Sequence, residues 1–171
     1  MGSQDRDVAF HEVQKVRQWW VWVLVYGAAA LTWYGFIQQI VLGKPFGTHP
    51  APDWAMWLML LAIGIGFPVL FHILALIVQV LPDHILIRYA PLLKRIIPFA
   101  EIESYAVRTY SPIREYGGWG IRGFGRGKRA YNISGNRGVH FWLRNGQEIL
   151  IGSQKPEKLA QALPQDRRHS P

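Results

Sequence analysis

The chain has no cysteine among its 171 residues, which excludes disulfide frameworks, thiolate metal sites, iron–sulfur clusters, thiol nucleophiles and CxxC redox motifs. Acidic residues are scarce: 11 Asp plus Glu face 19 Lys plus Arg, for a net charge of +8, while half of the chain is hydrophobic. Two stretches carry no charged side chain at all, the 24 residues from Trp19 to Leu42 and the 28 from Trp54 to Leu81. Both exceed the roughly 20 residues that a bilayer span requires. At about 1.5 Å per residue the second reaches about 42 Å, beyond the roughly 30 Å hydrocarbon core, and is expected to tilt or project. Trp19, Trp20, Trp22, Trp54 and Trp57 crowd the segment starts, where amphipathic rings favour the headgroup level. A pair of buried soluble helices and a signal peptide fit less well, the latter because the first run is about twice a signal core. The expectation is a transmembrane helical hairpin at residues 19–81, with spans at about 19–42 and 54–81.

Charge orients such a hairpin, because flanking Lys and Arg stay cytoplasmic. The connector from Gly43 to Asp53 has only Lys44, whereas the amino-terminal arm has Arg6, Lys15 and Arg17, and Pro82 to Pro171 holds fifteen Lys plus Arg against seven acids. Both termini are expected on the cytoplasmic side. In the arm, residues 1–18, Phe10, Val13, Val16 and Trp20 recur at steps of three and four, the pattern of an amphipathic helix, either interfacial or continuous with the first span.

After Pro82 the pattern becomes short apolar segments of period two separated by Gly, Pro, Asn and Asp, which is strand and turn language. Strands are expected near His84–Tyr89, Lys94–Pro98, Ile102–Tyr110, Arg129–Ile133, Val139–Arg144 and Gln147–Ile151. Asn145-Gly146 predicts a type I′ turn with both central residues at positive φ. With Arg144 opposite Gln147, one hairpin face holds Val139, Phe141, Leu143 and Leu150, and the other Trp142, Ile149 and Ile151. One face fills a core. The other needs a cover, and the nearest is a terminal helix over Pro156–Leu163, with Ser153 near its cap and Leu159, Ala162 and Leu163 on one side. The tail, 164–171, is polar. The fold class is thus an α+β membrane protein: a helical hairpin followed by a small antiparallel β domain at 82–163, laid out like a pleckstrin-homology (PH) domain with its carboxy-terminal helix.

Three further runs carry a family resemblance: Tyr110-Ser111-Pro112-Ile113-Arg114-Glu115-Tyr116-Gly117-Gly118-Trp119-Gly120-Ile121-Arg122; Ala130-Tyr131-Asn132-Ile133-Ser134-Gly135-Asn136-Arg137-Gly138-Val139; and Ile151-Gly152-Ser153-Gln154-Lys155-Pro156-Glu157. With Phe10-His11-Glu12-Val13-Gln14-Lys15-Val16-Arg17-Gln18-Trp19-Trp20, the chain resembles an uncharacterised bacterial family of small two-span membrane proteins with a PH-like cytoplasmic domain. The resemblance implies a bacterial inner-membrane location and no particular reaction.

Among residues that could carry chemistry, the stretch from Gly117 to Gly138 stands out, with eight glycines. Trp119, Arg122, Arg126, Lys128, Arg129 and Arg137 form a candidate site for a phosphate, an acidic lipid headgroup or a partner, since glycine lets backbone N–H groups approach an anion and the cations supply charge. The competing reading is a flexible connection with a solvated basic face. Gly118-Trp119-Gly120-Ile121-Arg122-Gly123 matches GxGxxG in letters but lacks the strand–helix context of a dinucleotide site, and no Walker loop is present. Gly64 and Gly66, followed by Pro68 and His72, offer a helix-packing face within the second span. A lone intramembrane histidine could serve a redox cofactor, but no second histidine lies in either span, so a hydrogen bond to a neighbouring helix is the simpler expectation. Positions 11, 49, 84, 140 and 169 have no metal-ligand spacing, and Glu101 and Glu103 lack an adjacent nucleophile.

The expected role is therefore a membrane-anchored, non-enzymatic binding or scaffold module, with no cofactor and with the bilayer as one partner. A sharper version makes it an accessory subunit of a larger integral complex, bound to another membrane protein or to its own copies. Recognition of anionic lipid or phosphate through the basic loop is the alternative, a redox role for His72 comes next, and nucleic-acid binding comes last, because basic flanks commonly serve topology alone.

Overall fold

The computed structural model describes residues 8–123 and 127–168. The chain folds as two compact units, Val16–Leu74 and a second assembled from the segment before Val16 together with Ala75 onward.

The first unit is a helical hairpin. Helix α1 (Trp19–Phe36) runs on through a π-helical turn at Ile37–Val41. After the connector, α2 (Asp53–Met59), a π-helical stretch at Leu60–Gly66 and α3 (Phe67–Ile73) form one continuous helical rod. Both rods, Trp19–Val41 and Asp53–Ile73, are long and apolar enough to cross a membrane. Their contact is narrow: α1 buries Val25, Ala29, Thr32, Gly35 and Phe36, and Phe36 packs with Met56 and Leu60. Pro68 has no N–H to give the carbonyl of Gly64 one turn before it, and that carbonyl instead accepts from Trp33 Nε1 at 3.2 Å.

Two boundaries differ from the sequence expectation. The arm is a strand, β1 (Phe10–Lys15), rather than an amphipathic helix, because its alternation sets Phe10, Glu12 and Gln14 inward and His11, Val13 and Lys15 outward. The second rod ends at Ile73, not Leu81, and Ala75–Val80 is strand β2. Its apolar run is continuous with the helix because most of it is buried.

The second unit contains two sheets. In the first, β1, β2, β3 (His84–Ala90) and β4 (Leu93–Pro98) are joined in that order, all antiparallel. The helical hairpin is thus an insertion between two hydrogen-bonded neighbouring strands. The second sheet has the order β5-β8-β9-β7-β6, formed by β5 (Ile102–Thr109), β6 (Gly120–Arg122), β7 (Lys128–Asn132), β8 (Arg137–Leu143) and β9 (Glu148–Gly152), with α4 (Pro112–Tyr116) between β5 and β6. All its pairs are antiparallel except β7 with β9. The inner faces of the sheets bury Leu76, Val78, Ile85 and Ile87 on one side and Val139, Phe141, Ile149 and Ile151 on the other.

The turn at Asn145-Gly146 is not type I′. Only Gly146 has positive φ, at 78°; Gly146 N–H donates to Leu143 O, and Leu143 N–H donates to Gln147 O. This is a three-residue loop, with glycine in the left-handed position that a side chain disfavours. It moves the register by one, so Phe141 faces Ile149 and His140 faces Leu150. Val139, Phe141, Leu143, Ile149 and Ile151 then share the core face, and a one-residue slip is enough to exchange faces. The cover also differs from expectation. Helix α5 (Pro156–Gln161) is tied to Tyr105, whose hydroxyl donates to Ala160 O at 3.2 Å from the face that Tyr105 shares with Phe141. The outer face, with Ala130 and Leu150, is covered by Tyr110 and Tyr116.

Candidate functional site

The basic, glycine-rich segment does not gather its cations at one point among the described residues. Arg122 ends β6 opposite Ala130, on the side that Lys128 also takes, whereas Arg129 pairs with Ile149 and takes the other side. Arg122 Nε donates to Trp119 O at 3.0 Å, and Trp119 Nε1 donates to Gly135 O at 2.9 Å. Lys128 is paired with Glu148 at 3.2 Å, and Arg137 is paired with Glu157. Lys128 and Arg137 lie at opposite ends of β9, whose register sets Glu148 beside Lys128 and Gly152 beside Gly138, a span of about 13 Å at roughly 3.3 Å per residue. Arg126 lies outside the described residues.

The hairpin's candidate residues converge better. Gly64 is buried, and a Cβ there would stand 3.3 Å from Trp33 Nε1. Gly66 does not join it: a Cβ there would meet Leu61 O of its own helix at 2.9 Å. His72 Nε2 is 2.7 Å from Tyr26 Oη of the first rod, and its ring lies 4.6 Å from that of Trp22. Because the helix stops at Ile73, His72 sits on its last turn.

A site not foreseen in the sequence lies where β1 meets the chain after β9. Glu12 is 7 % exposed; its Oε2 accepts from Ser153 Oγ at 2.5 Å, and its Oε1 accepts from the backbone N–H of Gln154 at 2.7 Å. Gln14 Nε2 donates to Gly152 O at 2.8 Å. Ser153 Oγ in turn accepts from Lys155 N–H at the start of α5, and Gln154 Nε2 donates to Ser134 Oγ at 3.0 Å. The runs that begin at Phe10, Ala130 and Ile151 therefore meet in one polar joint. Side chain and backbone fit tightly there: a Cβ on Gly152 would stand 2.8 Å from Asn132 Cβ and 3.1 Å from Tyr110 Oη. The signal in the sequence was a polar pair, Glu12 and Gln14, at strand spacing, with partners about 140 residues away.

The outer face of the second sheet holds a second polar cluster. His140 is 3 % exposed, with its ring stacked on Trp142 at 4.4 Å. Arg108 Nη1 lies 3.3 Å from His140 Nδ1; a guanidinium can only donate, so Nδ1 accepts and Nε2 carries the proton, 3.1 Å from Glu148 Oε2. That Nε2–Glu148 approach has ion-pair distance without hydrogen-bond alignment. Burial, with Arg108 next, pushes the His140 pKa down against the pull of Glu148. Arg108 also pairs with Glu115, whose pKa is lowered first by the Ser111 backbone N–H and then by Arg108. Glu148 is thus tied to Lys128, and Glu115 to Arg108 and the Ser111 backbone N–H. Among the described residues no group of His, Asp and Glu is placed to hold a metal ion.

These features define a class: an α+β protein in which two apolar helices of membrane-spanning length are inserted into a domain of antiparallel and mixed sheets. The chain belongs to a family of unknown function, DUF6141, whose model matches residues 1–166. No curated protein and no solved structure matches it.

Proposed function

We propose that the protein is a membrane-anchored binding module of the bacterial inner membrane, non-enzymatic, with both termini and its β domain on the cytoplasmic side. The observation that carries this reading is the insertion of the helical hairpin between β1 and β2. Paired strands at both ends of the hairpin require its flanks to lie on one side of a bilayer, and the flanking domain bears the basic excess that favours the cytoplasmic side. Large side chains such as Leu24, Leu31, Leu58 and Leu61 are about 60 % exposed along the rods, which suits lipid or a neighbouring membrane helix and not water.

A PH-like ancestry for the domain has support in its topology. Without the α4–β6–β7 insertion, β1–β4 form one antiparallel sheet, β5, β8 and β9 form a second, and α5 follows, the layout of that fold class. The parallel β7–β9 pair belongs to the insertion. By analogy such a domain serves docking, and the reading that fits a two-helix anchor is an accessory subunit that presents the domain beside a larger integral complex. His72, occupied with Tyr26 and Trp22, suits packing better than a redox role.

Affinity purification of the tagged full-length protein from its own membranes in mild detergent, with mass spectrometry of the eluate, tests this reading. A stoichiometric membrane-protein partner is expected. Recovery of the protein alone, with catalytic turnover or a bound chromophore, would overturn it.

A further inference from the structure

We propose that the outer face of the four-stranded sheet lies on the anionic lipid surface beside the hairpin's point of entry; this rests on the reading of the hairpin as a membrane anchor. Register places Val13 beside Ile77 and Leu86 beside Ile96 on this face, with Arg88 and Lys94 completing the Val13–Ile77 row and Lys15 at the end of β1. Val13 and Ile96 are each 50 % exposed, so the four apolar side chains make an unburied strip across all four strands. The residues on this face of β1 to β4 include no Asp or Glu, and among the described residues Lys15, Arg88 and Lys94 have no ion pair. An apolar strip flanked by Lys15, Arg88 and Lys94 on one side and by the polar His11 and Gln79 on the other, with no acid among these strand residues, matches a surface with negative headgroups above an apolar interior.

Chain connectivity selects lipid over other occupants. Three residues, Val16 to Gln18, join β1 to α1, and Leu74 alone joins α3 to β2. Three residues reach about 10 Å at most, comparable to the Debye length of about 10 Å over which lipid charge acts. Register puts Lys15, Ala75 and Ala90 at this same end of the sheet, together with Leu92, 60 % exposed in the β3–β4 turn. A second copy of the chain is disfavoured by charge, since pairing two such faces would set cations against cations.

The absence of native cysteine makes the test direct. Full-length Ile96→Cys, Glu103→Cys and Leu31→Cys variants would each carry a nitroxide, be reconstituted in vesicles of phosphatidylcholine with or without phosphatidylglycerol, and be assayed for relaxation by aqueous nickel chelate and by oxygen. The label at position 96 is expected to lose most of its nickel collisions in the anionic vesicles, to regain them when Arg88→Glu and Lys94→Glu are added, and to stay exposed in neutral vesicles. The label at position 103, on an exposed position of β5 in the other sheet, should remain aqueous throughout. Equal nickel access at position 96 in both vesicle types would overturn the proposal, as would dipolar broadening between labels, which would assign the face to a second copy. Aqueous access at position 31 would instead sink the anchor reading on which the proposal rests.

Discussion

The helical hairpin and the β domain are both rich in large apolar side chains, but they place them in opposite ways. In the domain Ile85, Ile87, Phe141, Ile149 and Ile151 are fully buried. In the hairpin Leu24 and Leu31 are more than 60 % exposed, and the two rods touch along one narrow stripe. The difference teaches where each unit obtains its stability. The domain has a core of its own and locks it with specific polar bonds, so single side chains should matter greatly. The hairpin's own contacts are few, and its stability must come mainly from its surroundings.

The largest effect expected from a single change follows from Glu12. Glu12→Ala removes the acceptor of Ser153 Oγ and Gln154 N–H in a buried joint and should cost about 3 kcal/mol, since charge-assisted bonds are lost and donors are left unsatisfied. Val13→Ala, one residue away and half-exposed, should change stability by less than about 0.5 kcal/mol. Denaturant titration of the full chain in micelles, followed by amide exchange in β1, checks both. Equal effects of the two variants would erase the contrast between inner and outer faces of this strand. Next comes Gly152→Ala, whose added carbon would press on Asn132 and Tyr110 and is expected to cost about 2 kcal/mol by overpacking.

The same joint explains what the sequence concealed. The six strands expected after Pro82 are all present, give or take two residues, because each has a period-two pattern bounded by turn residues. β1 escaped because its inward positions are Glu12 and Gln14, so its apolar residues fell by chance at helical spacing. β2 escaped for the opposite reason. Its residues Leu76, Val78 and Val80 are buried and Ile77 between them is also apolar, so no alternation marks the point where helix gives way to strand. The β8–β9 faces were exchanged because Asn-Gly allows two loop lengths, and only the backbone of Asn145 decides between them. The basic segment looked like one site because its cations are near in sequence; among the described residues, strand alternation turns Arg129 away from Arg122 and Lys128, and the length of β9 separates Lys128 from Arg137.

A smaller effect within the domain should appear as a pH slope. His140 has an ordinary value of 6.5 that folding lowers. Between the lowered folded value and about 6.5 the unfolded chain binds more protons than the folded one, so stability rises with pH through that window and falls on acidification from about pH 6.5 downward. Melting of the full chain in micelles at a series of pH values should show this fall, and His140→Gln should flatten it. Glu115 has a linkage of the same sign: its lowered pKa contributes stability that is present above its ordinary value of 4.5 and is lost as pH falls through the folded value. The histidine's fall begins at the higher pH, near 6.5, and an unchanged slope in the histidine variant would show that His140 is not the group being protonated.

The smallest loss expected from deleting a specific hydrogen bond is in the hairpin, at Trp33. Its indole N–H reaches the Gly64 carbonyl that Pro68 cannot serve, so Trp33→Phe deletes one interhelical hydrogen bond while keeping an aromatic ring. Interhelical bonds of this kind within a bilayer contribute about 0.6 kcal/mol on average; the partly exposed ring adds little, because lipid is as apolar as the packing it would replace. Restoring a donor at position 68 by Pro68→Ala in the Trp33→Phe background should recover much of the loss, since an ordinary helical bond to Gly64 then becomes available. Steric-trap measurement of hairpin separation in bicelles can resolve the pair. A loss as large as that of Glu12→Ala would mean that the hairpin, like the domain, is held by its own specific bonds, and the distinction between the two units would then lie in their surroundings alone.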